Sequence, residues 1–148
     1  MESAFAIAKE FGRLSDWSLS NLEIQKLVYL AHMVHLGRTG QPLVFGQFEA
    51  WDYGPVHPAL YHKAKVFGRQ PVQNIFGGVA DLQEGKVKDL VKGTFESLGG
   101  LGAGRLVNIT HRPGGAWERN YQPGTRCCVI SNADIKDEYD GLAANEAA

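Results

Sequence analysis

Apolar residues recur every three to four positions in several stretches of this chain, the spacing that places them on one face of an α-helix. Such stretches cover residues 4–14, 21–37, 58–67, 87–98 and 106–110, and a further one follows Ser131. Two short segments, residues 47–51 and 126–130, predict strands instead. The pattern therefore predicts a mainly α fold with a small β-sheet (α+β), a compact helical bundle of about five to six helices with a short sheet at one side.

The second helix carries the strongest start signal. Ser20 and Glu23 have the spacing of a capping box, in which each side chain bonds the backbone N–H of the other residue. Leu19 and Ile24 occupy the flanking positions of a hydrophobic staple. Glycine is the residue that most often follows the last turn of a helix, so Gly37 is predicted to end this one.

The stretch EAWDYGPVHPALYHKAKVFG, residues 49–68, combines a strand end, a turn and a helix start. Alternation along an extended segment would place Trp51 and Tyr53 on one face. Gly54-Pro55 is predicted to end that segment, because proline lacks a backbone donor and glycine permits tight turns. Pro58 suits the first turn of a helix, where the missing N–H of proline costs nothing. Of the two aromatic residues, one is expected in the core and the other on the surface.

Length and charge indicate one domain spanning residues 1–148. The chain has 15 basic and 16 acidic residues, a net charge of −1, so no broad positive field attracts it to phosphate. Residues 132–148 alone carry net −4, which leaves the rest of the chain at +3. Within that acidic segment, residues 140–148 are small and polar and are expected to form a flexible tail.

Cysteine usage and hydropathy indicate a cytoplasmic protein. Cys127 and Cys128 are adjacent, and neighbours in a strand point to opposite faces, so a disulfide between them would be strained. The first residues lack a basic segment followed by an apolar run, and no window approaches the ~20 apolar residues of a membrane span. A reduced setting and no contact with membranes are the expectation.

The sequence predicts no cofactor, no metal site and no enzymatic activity. His32 and His35 lie one helical turn apart, but a structural zinc site needs four ligands and the cysteines lack the usual spacing. A small hydrolase using His57, His62 or His111 would lack a complete catalytic constellation. His111, near a helix end, is more simply a residue that bonds the last carbonyl groups.

Lys26 lies beside the apolar stripe of the second helix, on the same side as Tyr29. Two interpretations remain equal for it. A lysine in such a place usually extends its charge to solvent with its stem buried. Alternatively, Lys26 and Tyr29 join Trp51 and Tyr53 in a polar and aromatic patch that contacts a partner, since such side chains supply much of the energy at interface centres.

Several motifs, in order, resemble the Panacea domain of bacterial and phage antitoxins. They are Gln25-Lys26-Leu27, Tyr29, Gly40-x-Pro42-Leu43, Ala50-Trp51-x-Tyr53-Gly54-Pro55-Val56-x-Pro58, and Thr110-His111 before Trp117. The resemblance covers about Ala4 to Tyr139 and is strongest to SocA-like proteolytic adaptors. Where the family pattern has a proline before the last tryptophan, this chain has Ala116.

The resemblance implies an antitoxin of a type II-like toxin-antitoxin system, which binds and neutralises a cognate protein toxin and delivers it to the ClpXP protease. The residues expected to contact the partner are Lys26, Tyr29, Trp51, Tyr53, His57, Thr110, His111 and Trp117. Ala147 and Ala148 are expected to tether the chain to the ClpX unfoldase, which reads terminal Ala-Ala signals. The alternative function is a DNA-binding regulator of its own operon, for which Lys63, Lys65 and Arg69 supply positive charge, although no basic stripe of the usual kind is present.

Overall fold

The structure, a computed structural model, describes residues 1–126 and 128–147, without the side chain of Ala147. The helices are α1 (Ala4–Leu14), α2 (Asn21–Thr39), α3 (Pro58–Ala64), α4 (Lys86–Leu98), α5 (Ala103–Thr110), α6 (Ala116–Asn120) and α7 (Asn132–Ala147), with a 3-10 turn at Lys65–Phe67. The strands are β1 (Phe48–Trp51), β2 (Gly54–Val56) and β3 (Val129–Ile130). This confirms the mainly α fold with a small sheet, with one more helix than the upper estimate. In the described ranges, no helix has both the length and the apolar character needed to cross a membrane.

Helix α2 is the centre of the fold. It packs against α1, α4, α5, α7 and the strand β2, so residues 24–33 are buried on every side of the helix. Its predicted start is confirmed: Glu23 N–H donates to Ser20 Oγ at 3.2 Å, and Ser20 N–H donates to Glu23 Oε1 at 3.1 Å. Because the helix is surrounded, polar residues on it are buried as well as apolar ones.

The predicted end of α2 is wrong. Gly37 lies inside the helix, which continues to Thr39 and is closed by Gly40 in the left-handed conformation, φ 74°. Gly37 serves a different purpose, because a Cβ atom at this position would overlap the ring of Tyr139 on α7. The glycine therefore allows two helices to approach closely, a requirement that local sequence does not reveal.

The sheet is antiparallel with the order β2-β1-β3. Pairing of β1 with β3, Phe48 opposite Ile130, confirms the two predicted strand segments, although β3 is only two residues long. The prediction that Gly54-Pro55 ends the extended segment is wrong, since Trp51 pairs with Gly54 and the chain returns as β2. The reversal occurs one step earlier, at Asp52 and Tyr53.

The C-terminal segment from Asp140 forms the last turns of α7 as far as Ala147. Residues 140–146 are exposed apart from Leu142, which packs partly against the core. Cys127 and Ala148, on which the predictions about the cysteine pair and the terminal tether partly depend, lie outside the described residues. The flexibility of the segment stays a prediction.

Candidate functional site

Lys26 is fully buried, so the expectation that its charge extends to solvent is wrong. Its exposed fraction is 0%, and Nζ donates to the carbonyl oxygen of Pro55 at 2.9 Å. Within the described residues no carboxylate pairs with it. Burial lowers the pKa of Lys26 to about 7, because the charged form loses its hydration without gaining a counter-ion. Lys26 thus ties α2 to β2.

The hairpin of β1 and β2 can reach Lys26 only because residue 54 is glycine. A Cβ atom on Gly54 would lie 2.7 Å from Lys26 Cε and 3.0 Å from Thr110 Oγ1, and the φ angle of 114° also favours glycine. Thr110 Oγ1 shares its single proton between the carbonyl groups of Leu106 and Val107, so it closes the last turn of α5. Lys26 and Thr110, predicted as partner contacts, therefore support the hairpin from beneath.

Tyr29 is a core residue. Its ring is fully buried and meets Phe48 edge-on, with 5.2 Å between the ring centroids. Burial raises the pKa of the Tyr29 hydroxyl, and the nearby charge of Glu138 raises it further. No group in the described part of the chain bonds that hydroxyl. Tyr29 contributes packing under the sheet and presents no surface to a partner.

His57 caps helix α3. Its Nδ1 accepts from the N–H of Leu60 at 3.3 Å, which leaves Nε2 as the protonated nitrogen that donates to the carbonyl oxygen of Phe45 at 2.9 Å. The ring is 6% exposed. Both ring nitrogens therefore have structural partners, and His57 joins the start of α3 to the loop before β1.

His111, Trp117 and Tyr121 form a stack of three rings. The centroids of His111 and Trp117 lie 3.6 Å apart with planes at 4°, and Tyr121 stacks on the same indole at 4.3 Å. His111 follows the last residue of α5, as predicted, but its Nε2 is buried with no hydrogen-bond partner among the described residues. Burial and the charge of Lys26 lower its pKa. Trp117 Nε1 donates to the carbonyl oxygen of Trp51 at 2.8 Å. The stack fixes the end of β1.

Ala116 explains how this chain manages without the proline of the family pattern. Its backbone N–H donates to Glu138 Oε1 at 2.8 Å, a bond that proline could not make. Glu138 is 6% exposed and pairs with Arg112 at 2.7 Å. The bond holds α6, and with it the ring of Trp117, against α7.

Trp51 and Tyr53 confirm the expectation that one is buried and the other exposed. Trp51 is 7% exposed and Tyr53 is 71% exposed. They do not share a strand face, because the hairpin turn intervenes. The Trp51 indole donates to Glu49 Oε1 at 3.0 Å, and its ring meets Tyr61 edge-on at 4.8 Å.

A pocket of about 350 Å³ opens beside these aromatic rings. We call it the hairpin pocket; it is lined by Asn21, Leu22, Gln25, Trp51, Asp52, Tyr53, Val56, Tyr61, Gly68, Gly124, Thr125 and Arg126. The guanidinium group of Arg126 lies 4.4 Å from the ring centroid of Trp51 and 5.6 Å from that of Tyr61. Sequence reasoning missed Tyr61 and Arg126. The two predicted strand segments implied a shared sheet, but they did not indicate that the side chain of Arg126 would lie over the ring of Trp51.

Asp52 holds the segment that presents Arg126. Its Oδ1 accepts from the hydroxyl of Tyr121 at 2.6 Å and from the N–H of Gly124 at 3.2 Å. The Tyr121 bond, followed by the Gly124 bond, lowers the pKa of Asp52. The hairpin tip and the segment before β3 are therefore fastened together at the rim of the pocket.

His32 and His35 do not converge on a common point. His32 Nε2 bonds Asn132 Oδ1 at 2.9 Å, while His35 Nδ1 bonds the carbonyl oxygen of Gln41 at 2.8 Å. Burial lowers the pKa of His32. Among the residues that the structure describes, no group of three or more histidine, cysteine or acidic side chains is placed to hold a metal ion.

Comparisons with known proteins agree with the resemblance seen in the motifs. Residues 24–118 match the family described as "Antitoxin SocA-like, Panacea domain". The chain is 34% identical over 138 residues to "Antitoxin SocA" of Caulobacter vibrioides (strain NA1000 / CB15N), and the alignment spans 84% of this chain and 73% of that protein. No solved structure gives a significant match.

Proposed function

The chain belongs to the SocA-like, Panacea-domain family of antitoxins, and we propose that it binds and neutralises a cognate protein toxin of a type II-like toxin-antitoxin system. The relative named as an antitoxin supports a protein partner for this chain. The mechanism that we propose is stoichiometric binding, in which the antitoxin covers the toxin without chemically changing it. We place this action in the cytoplasm of a bacterium or a phage-infected cell.

The hairpin pocket is the observation that carries this proposal. Tryptophan, tyrosine and arginine dominate the energetic centres of protein interfaces, and here Trp51, Tyr61 and Arg126 meet around one concavity with Tyr53 exposed beside it. The buried residues predicted as contacts fit a supporting role. Lys26, Thr110 and Trp117 hold the hairpin rigid from behind, which reduces the ordering cost of binding.

A non-enzymatic role is part of the proposal. Two of the three histidines that a hydrolase would use have structural partners: His57 caps α3 through one nitrogen and bonds a carbonyl through the other, and His111 is stacked against Trp117. Neither lines the hairpin pocket. A binding surface therefore accounts for the geometry better than a catalytic one.

Co-expression with the neighbouring reading frame tests the proposal. We expect the partner gene alone to arrest growth, co-expression to restore growth, and the two purified proteins to elute as one complex in size-exclusion chromatography. A partner protein that is harmless alone, or one that never co-elutes with this chain, would contradict toxin neutralisation.

Delivery of the toxin to ClpXP is the finer part of the proposal. The residues from Ala143 to Glu146, in the last turns of α7, are exposed, and this exposure supports a tether at Ala147 and Ala148. Changing both residues to Asp is expected to slow toxin degradation by purified ClpXP while toxin binding stays unchanged. The matched control changes Ala143 and Ala144 to Asp. Equal degradation rates for the two variants would contradict a tether at Ala147 and Ala148.

A regulator that binds its own operon is the second candidate, and one observation favours it. Lys63, Lys65 and Arg69 are exposed in a stretch, residues 53–80, that contains no acidic residue. Replacing the three by Gln should abolish binding to the promoter fragment and leave the toxin complex intact. Absence of salt-sensitive promoter binding by the unaltered chain would exclude this function.

A further inference from the structure

A relay of side-chain amides fixes a hydrogen-bond donor in the wall of the hairpin pocket. The backbone N–H of His57 can only donate, and it donates to Gln25 Oε1 at 2.9 Å. The remaining amide atom of Gln25 is therefore the donor Nε2, which lies 3.2 Å from Asn21 Oδ1. Asn21 Nδ2 is left as the end of the relay, with no acceptor among the described residues. Since Asn21 lines the pocket, this NH2 group is the polar function it can offer to a ligand.

Arg126 supplies a second set of donors. Its guanidinium plane lies against the rings of Trp51 and Tyr61, and it forms no ion pair with a described residue. Stacking on aromatic rings occupies the face of a guanidinium and leaves its N–H groups at the edge. Those N–H groups match the two oxygen atoms of a carboxylate. Arg126 thus presents positive charge next to the aromatic rings of Trp51 and Tyr61.

The pocket contains little that would compete for these donors. Among its described lining residues, the single carboxylate is that of Asp52, whose Oδ1 already accepts from Tyr121 and Gly124. Trp51, Val56 and Leu22 supply apolar wall. The polar groups left for a ligand are the N–H groups of Arg126 and Asn21, the hydroxyl groups of the two lining tyrosines, and the second carboxylate oxygen of Asp52. Donors therefore exceed acceptors in the pocket, beside an apolar wall.

Resting on the toxin-binding function above, we propose that the hairpin pocket binds a segment of the partner protein in which a carboxylate adjoins a large apolar side chain. The apolar group lies on Trp51 and Tyr61, and the carboxylate bonds Arg126 and the NH2 group of Asn21. The volume of about 350 Å³ falls in the range of pockets that hold small ligands, about 300 to 1,000 Å³. Charge complementarity selects this occupant over a basic or a neutral segment.

A pair of small probes tests the chemistry without the toxin. 3-Phenylpropionate and 3-phenylpropionamide have the same apolar group and differ in charge. Titration of each, followed by NMR of the Trp51 indole N–H, should show the carboxylate binding at least about tenfold more tightly. In Arg126→Gln this preference should fall to about threefold or less. Equal affinity of the two probes for the unaltered protein would overturn the inference.

Asn21→Asp tests the role of the Asn21 NH2 group directly. It keeps an oxygen for Gln25 Nε2 and replaces the NH2 donor by a second carboxylate oxygen, which repels an anionic ligand. An acidic residue in the first turn of α2 is compatible with the helix dipole, so the variant is expected to fold. We expect about a tenfold loss of 3-phenylpropionate affinity and no change for the amide. Unchanged carboxylate affinity in the folded variant would overturn the role of Asn21.

Binding measurements with the purified toxin distinguish a failure of this inference from a failure of the proposed function. With the purified toxin, Arg126→Gln and Asn21→Asp should each weaken the complex at least about tenfold, whereas Arg105→Gln, the same change at an exposed arginine outside the pocket, should alter it less than about twofold. A toxin that binds all variants equally overturns the inference and leaves the antitoxin function standing. A toxin that does not bind the unaltered protein overturns the function, and the probe titrations still decide what the pocket accepts.

Discussion

Two cationic side chains contact the same hairpin, and their surroundings give them opposite uses. Lys26 is fully buried behind β2, donates to Pro55, and has its pKa lowered to about 7. Arg126 is exposed and lies over Trp51 at the end of β1, with its N–H groups directed to no described acceptor. Burial without a counter-ion makes the Lys26 ammonium group easier to deprotonate and leaves it bonded to the hairpin backbone, so it serves packing. An exposed cation keeps its charge and remains available to a partner.

A substitution that disrupts the packing around Lys26 should have the largest effect on stability. Gly54→Ala places a methyl group against Lys26 and Thr110 and forces alanine into a φ angle of 114°. We expect a loss of about 4 kcal/mol in the free energy of unfolding, measured by urea denaturation. Gly40→Ala is the matched control, since its φ of 74° is also positive but no atom lies within 4 Å of the added Cβ. Equal losses in the two variants would show that backbone strain alone, and not the close approach to Lys26, sets the value.

The two aromatic residues of the hairpin separate stability from binding. Trp51→Ala removes a buried ring and should cost about 3 kcal/mol of unfolding free energy. Tyr53→Ala, at a 71% exposed position, should change stability by less than about 0.5 kcal/mol and weaken the toxin complex about tenfold. Urea denaturation and calorimetric titration measure the two effects. If Tyr53→Ala binds the toxin normally, the exposed rim of the pocket is not part of the interface.

The pH dependence of stability reports the state of Lys26. Its pKa is about 7 in the folded chain and near the ordinary 10.5 when unfolded, so between these values the unfolded chain holds a proton that the folded chain has released. Stability contributed by Lys26 therefore rises with pH across this window and is constant below it. The unfolding free energy of the unaltered protein minus that of Lys26→Met should increase by about 2 kcal/mol from pH 7.5 to 9.5. A difference independent of pH would mean that Lys26 stays charged.

Tyr29→Phe should have the smallest effect. The hydroxyl of Tyr29 is buried and has no partner among the described residues, so removing it costs no hydrogen bond and removes a desolvated group. We expect thermal stability to be unchanged or raised by up to about 1 kcal/mol, with toxin affinity unaltered. A marked loss of stability would reveal a hydrogen bond to that hydroxyl and would add Tyr29 to the supporting network of Lys26.

Local signals predicted the elements well and their ends less well. Ser20 and Glu23 fixed the start of α2, because the capping box is formed by residues three apart. The helix does not end at Gly37, as predicted, but is closed by Gly40. The same residue type satisfies both a left-handed cap and a close helix contact, and only the position of Tyr139 distinguishes them.

The candidate site was predicted in part. The motif residues around Trp51 and Trp117 do meet, since Trp117 donates to the carbonyl oxygen of Trp51. Most of them proved to support the surface from below, and the residues that complete it, Tyr61 and Arg126, carry no local signal. A side chain is exposed or buried according to what packs on it from distant segments, which periodicity within one segment does not encode.

The sequence by itself determined the helical periodicity, the capping box that starts α2, the two strand segments and the family, because each depends on residues close together or on motifs in a fixed order. The tertiary structure decided that burial lowers the pKa of Lys26 to about 7, that Tyr53 and not Trp51 faces solvent, and that Arg126 lies over the indole ring. These properties depend on the local dielectric and on contacts between segments up to 75 positions apart, from Trp51 to Arg126. The burial of a side chain and the pKa that follows from it depend on the folded structure, so they cannot be obtained from neighbouring residues in the sequence.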